Sequence, residues 1–231
     1  MLHLYFFGPP RIELDGQPVI LDTRKATALV AYLAVTRQRH SRDALAALLY
    51  PEADQSRARA ALRRTLSSLK AGIGESRLVV DRESVALLAG PGRWCDVDRF
   101  QQLLAERQRH GHGEQAVCPR CLSPLQEAVA LYQDDLLAGF SLRDSAAFDE
   151  WQFFAMEQLR RKLTSALGRL VQILTGEGDL AAAVERARRL LALDPLHEPG
   201  HRVLMLLLAW TGQPQDALRQ YRECVRVLSE E

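Results

Sequence analysis

The chain has 231 residues, 47% hydrophobic and 26% charged, with a formal net charge of +1. That length accommodates two small domains with separate cores, and the composition excludes a disordered or collagen-like chain. No apolar run reaches the ~18 residues that a membrane span needs, and Met1–Gly8 is too short and lacks the basic start of a secretory leader. A cytoplasmic location is therefore expected. The charge is unevenly placed. Arg24 to Arg93 holds thirteen Lys/Arg against six Asp/Glu, so a basic N-terminal module and a more acidic C-terminal one are expected.

In chain order, Leu2–Phe7 is β-rich and stops at Gly8-Pro9-Pro10. Arg11–Leu14 alternates, Asp15-Gly16 reads as a hairpin turn, and Pro18–Leu21 reads as the returning strand. Thr23 is placed to cap a helix over Arg24–Thr36, where Ala26, Leu29, Val30 and Leu33 recur at helical spacing. Ser41 opens a shorter helix that Pro51 stops. Ser56 is expected to cap a longer one, running to about Ala71 and ended by Gly72 and Gly74. Leu78–Val80 and Val85–Leu88 flank Asp81–Ser84 as a second hairpin. Three strands, three helices and a hairpin are the plan of a winged helix, with the hairpin as the wing. Residues 1–95 form this domain. A helix over Asp96–Arg107 and a Gly/His stretch make a junction, 96–121, and 122–231 reads as helix throughout. Gly178 and Gly212 lie 34 residues apart, as do Ala183 and Ala217, and that period is the signature of tetratricopeptide-like (TPR-like) helical hairpins. The fold class expected is mainly α with a small β part: an N-terminal winged helix followed by an all-α TPR-like domain.

The helix over 56–70 carries Arg57, Arg59, Arg63, Arg64 and Lys70, largely off its Ala58/Leu62/Leu66/Leu69 stripe and with no acid between them. The major groove accepts one such helix, and arginine can bond guanine O6 and N7 in parallel. Thr65, Ser67 and Ser68 are short enough to reach backbone oxygens, and Arg77, Arg82, Arg24 and Lys25 are further phosphate candidates. Arg63 and Arg64, at the helix centre, are the first candidates for specificity. The competing reading is a solvated charged face.

His110, His112, Cys118 and Cys121 form an H-x-H-x5-C-x2-C set whose ligand types suit tetrahedral zinc, which would staple the junction. Exposed histidines with inert thiols, or a redox pair, are the alternatives. Cys95 and Cys224 read as small buried hydrophobes. Phe148, Trp151, Phe153 and Phe154 form either helical core or a peptide-binding surface, and His197 and His201 read as inter-repeat residues. No P-loop, Gly-x-Ser-x-Gly elbow or His-Glu-x-x-His is present, so nothing invites an enzymatic reading. No organic cofactor is expected.

The stretches "LHLYFFGPPRIELDGQPVILDTRKATALVAYLA" and "SRDALAALLYPEADQSRARAALRRTLSSLK", followed by "LYQDDLLAGFSLRDSAAFDEWQFFAMEQLRRKL" and "GDLAAAVERARRLLALDPLHEPGHRVLMLLLAWTGQPQDALRQYRECVRVL", resemble the antibiotic-regulatory-protein (SARP) family. That resemblance implies an OmpR-type winged helix joined to a bacterial transcriptional activator domain. It implies double-stranded promoter DNA as a partner, contact with RNA polymerase or a sigma factor, self-association as a homodimer, and activation of transcription. Ala61 and Tyr50 depart from the Asn and Trp frequent in the family. Many relatives continue into an ATPase module or further repeats. The rival reading is a TPR-type adaptor whose winged-helix part binds protein.

Overall fold

The computed structural model describes residues 1–106 and 119–230. Its strands are β1 Leu2–Tyr5, β2 Arg11–Leu14, β3 Gln17–Pro18, β4 His40–Ser41, β5 Leu78–Val80, β6 Ser84–Leu87 and β7 Arg93–Cys95. Its longer helices are α1 Arg24–Thr36, α2 Arg42–Leu49, α3 Gln55–Ile73, α4 Asp96–Glu106, α5 Leu122–Leu131, α6 Ala146–Gly176, α7 Leu180–Leu193, α8 Glu198–Trp210 and α9 Pro214–Ser229. No helix among the described residues is long and apolar enough to cross a membrane.

The chain divides into two compact units. One contains Met1–Phe100 with Leu131–Glu157, the other Gln101–Ala130 with Gln158–Glu231. The boundary expected near 95 and 121 is linear, whereas the observed first unit takes back a later segment. The reason is a set of specific bonds. Gly8 N–H donates to the Asp135 carbonyl and Leu137 N–H to that of Phe6. The Ser145 hydroxyl donates to the Leu48 carbonyl at 2.5 Å. The Gln152 amide then ties the segment to itself through the Phe140 carbonyl.

The first unit is a winged helix. Its N-terminal sheet runs β3-β2-β1-β7, antiparallel except for β1 with β7. Alternation buries Leu2, Leu4 and Ile12 on one side. The wing is a three-stranded sheet, β4-β6-β5. Neither β4 nor β7 was expected. Each is only two or three residues long, too short for a two-residue period to register. The returning strand is Gln17–Pro18, shorter than expected. Leu29, Leu33, Leu45, Leu49, Leu62 and Leu69 pack completely buried between the helices. Thr23 caps α1 by accepting from Ala26 N–H, and Ser41 caps α2 by accepting from Ala44 N–H.

Asp96, at the start of α4, is buried. Its carboxylate accepts the backbone N–H of Phe6, Phe7 and Val97. Burial pushes this carboxyl above its ordinary range, against those three bonds. Burial likewise pushes up the Cys95 thiol, so this side chain packs as a neutral group. Cys224, in the second unit, is also buried.

In the second unit, α7, α8 and α9 form consecutive antiparallel hairpins. Gly178 and Gly212 both take positive φ, 81° and 73°, at equivalent turns of the 34-residue period. A Cβ on Gly200 would come within 2.8 Å of the Leu190 side chain, so glycine lets α8 close on α7. His197 caps α8 by accepting from Gly200 N–H. His201 is buried, with Nε2 2.8 Å from the Pro195 carbonyl oxygen and Nδ1 2.6 Å from the Gln220 amide.

Candidate nucleic-acid interface

Helix α3 runs 19 residues. It is capped by Asp54, whose carboxylate accepts Arg57 N–H at 3.0 Å, and not by Ser56, which lies inside the first turn. Asp54 precedes Ser56 and presents an acceptor to the first-turn amides, so the helix starts earlier than the serine suggests. Gly72 continues the helix, and Gly74, at φ 93°, ends it. Ala58, Leu62, Thr65, Leu66, Leu69 and Ile73 form the buried stripe.

The opposite face is where the candidate side chains divide. Arg63, Arg64 and Ser67 are exposed, and Lys70 is half-buried. Arg63 and Arg64 make no ion pair among the described residues. Arg57 is exposed and paired with Asp54 at 3.2 Å. Arg59 is held by Asp43 through two bonds, Nε to Oδ1 at 2.5 Å and Nη2 to Oδ2 at 2.6 Å. No acid lies between these residues along α3, yet two of its arginines have acidic partners. The acids come from the cap and from a neighbouring helix, outside the window in which sequence shows none.

Several expected contacts face elsewhere. Thr65 points inward, its hydroxyl 2.5 Å from Tyr50 Oη and donating to the Ala61 carbonyl. Ser68 donates to Asp22. Arg24 gives two bonds to the Ser141 carbonyl and stacks on Phe140. Lys25 pairs with Asp144 at 2.6 Å and lies over the Tyr50 ring. Arg77 folds back to the Ile73 carbonyl. All of these are engaged inside the first unit.

The wing tip is ordered by Asp81, which accepts from the Glu83 and Ser84 backbone and from the Ser84 hydroxyl. Those bonds, the one from Glu83 foremost, hold its carboxyl below the ordinary range. Arg39 pairs with the same carboxylate and Arg42 donates to the Asp81 carbonyl. Arg82 is left exposed at the tip, with no ion pair among the described residues. Arg42, Asp43, Ser56, Arg59, Arg63 and Arg82 border a concavity of about 560 Å³ between α3, the start of α2 and the wing. Sequence reasoning missed Arg39, Arg42 and Asp43. Their proximity to α3 and the wing depends on β4, which is too short to read.

Among the other candidates, His110, His112 and Cys118 lie outside the described residues. Cys121 is described and buried, in the single turn Pro119–Cys121. Phe148 is buried and Trp151 packs edge-on to Tyr32, while Phe153 and Phe154 are exposed. That cluster is thus part core and part surface.

The family model of the bacterial transcriptional activator domain matches residues 95–231. The regulatory protein AfsR of Streptomyces coelicolor is 27% identical over 232 residues, which takes in 97% of this chain but 22% of AfsR. A structure of Mycobacterium tuberculosis EmbR in complex with a low affinity phosphopeptide superposes with a TM-score of 0.77 at 24% identity. It covers 100% of this chain and 60% of EmbR, and at that identity the likeness is one of fold. The chain spans less than two thirds of both proteins.

Proposed function

We propose a function from the premise that the chain belongs to the bacterial transcriptional activator domain family, as a SARP-type regulator and not an enzyme. It binds double-stranded promoter DNA, with α3 in the major groove and Arg82 of the wing at an adjacent phosphate or the minor groove. One observation carries this reading. The outer face of α3 presents Arg63 and Arg64 with no internal ion pair among the described residues, while its inner face is locked in the core. A cationic helix face held this rigidly meets a polyanion without reorganising. Activation of transcription, contact with RNA polymerase or a sigma factor, and self-association through the helical domain complete the proposal.

Binding that neutralises about six phosphates should weaken with salt at a log–log slope of roughly −5, and a flat response would sink the reading. The adaptor reading is favoured by a different observation: Leu206, Trp210, Leu218 and Tyr221 are exposed on α8 and α9. It expects Arg63→Ala with Arg64→Ala to leave DNA affinity unchanged, and Trp210→Ala with Tyr221→Ala to abolish partner capture. A structural zinc on His110, His112, Cys118 and Cys121 is proposed on ligand type alone. Metal analysis should give close to one zinc per chain, and none would refute it.

A further inference from the structure

Asp43 lies in the first turn of α2, whose N-terminus stabilises a negative charge. Both of its oxygens engage Arg59, at 2.5 and 2.6 Å, and both side chains are about half exposed. An exposed pair of this kind contributes little to stability. Its effect is geometric. A guanidinium has five N–H groups in a rigid plane. Asp43 takes Nε–H and one Nη2–H, which fixes the plane. The second Nη2–H and one Nη1–H remain on the end of the fork, and the other Nη1–H points back along the side chain.

That end carries two parallel donors, the pattern that matches guanine O6 and N7 in the major groove. The surroundings are also unlike a simple phosphate cradle, because Asp43 and Glu83 line the same concavity as Arg42, Arg63 and Arg82. Two carboxylates there disfavour a uniform anion site and favour a ligand that offers acceptors in a fixed pattern.

We infer that Asp43 orients Arg59 to read one guanine of the bound duplex, an inference that rests on the DNA-binding reading above. Asp43 is a positioning residue and Arg59 the contacting one.

Selection of bound fragments from a random duplex pool, using the full chain, tests this directly. The wild type and the Asp43→Ala, Arg59→Ala and Arg59→Lys variants are compared, and affinities are then measured on the selected duplex and its single-base changes. The wild type should prefer guanine at one position by roughly tenfold or more. Arg59→Ala should lose that preference. Arg59→Lys, which keeps the charge but not the fork, should lose it too. Asp43→Ala should relax the same position alone, with affinity for unselected duplex unchanged or higher. If Asp43→Ala tightens binding to every duplex and keeps the guanine preference, Arg59 is a phosphate contact and the inference is overturned. An Arg59→Ala variant with the full wild-type preference overturns it as well. A wild-type chain that selects no duplex overturns both readings together, whereas a clear wild-type preference untouched by these substitutions overturns this one alone.

Discussion

Helices α3 and α9 make an instructive pair. Both are amphipathic, and both leave one broad face uncovered. On α3 that face is Arg63, Arg64 and Ser67. On α9 it is Leu218, Tyr221, Val225 and Leu228, with Leu218 58% exposed and Cys224 the one residue of the helix that is buried. One helix turns its apolar stripe inward and offers charge, so its outer face is stable in water and attracts anions. The other offers apolar surface, which is unfavourable in water unless something covers it. Within the repeat the contrast is sharper still. Val184, Ala187 and Leu191 on α7 are buried, while Leu218, Tyr221 and Val225, 34 residues on, are exposed. The repeat sets which side of a helix is apolar, and its neighbours set whether that side is dry.

The largest expected effect comes from the buried side of α3. Leu62→Ala should lower unfolding free energy by about 3 kcal/mol in urea titration, because the completely buried leucine leaves a cavity. A loss below roughly 1 kcal/mol would show that α3 is not anchored as the structure has it. Next is Thr65→Val, which removes the hydroxyl shared with Tyr50 and should cost about 1 kcal/mol. Its affinity for DNA should be unchanged, since the side chain faces the core, and a marked loss would return Thr65 to the interface. On α9, Leu218→Ala should change stability by less than about 0.5 kcal/mol, which makes it the counterpart of Leu62→Ala. A cost near that of Leu62 would mean that this face is covered in solution.

The smallest effect concerns His40 in β4, the strand that joins the wing to the helices. Burial against Tyr32 lowers its affinity for a proton below the ordinary value of 6.5. The unfolded chain therefore takes up a proton that the folded chain refuses as pH falls below about 6.5. Stability should decline slightly with acidification in that window, down to the folded group's own pKa. His40→Gln should remove that part of the decline, and identical pH profiles for the two chains would show that β4 does not shield the ring.

Much of the winged helix was legible because its signals are local. Thr23 and Ser41 cap helices within three residues, and the Leu62/Leu66/Leu69 spacing repeats within one helix. The interface was less so. Arg24, Lys25, Thr65 and Arg77 carry the right chemistry for a phosphate, yet the fold engages each of them internally. The partners of the first three, Ser141, Asp144 and Tyr50, lie 15 or more residues away in sequence, 117 for Arg24, whereas Arg77 folds back on Ile73 only four residues away.

By itself, the sequence determined the basic character of α3, its apolar stripe, the 34-residue period and the order of elements. These depend on side-chain chemistry and on spacings of one or two turns. Only the tertiary structure decided which arginines are available. It set Asp43 against Arg59, left Arg63 and Arg64 open, and returned residues 131–157 to the first unit. Long-range bonds made those choices, and no local window of sequence contains both of their ends.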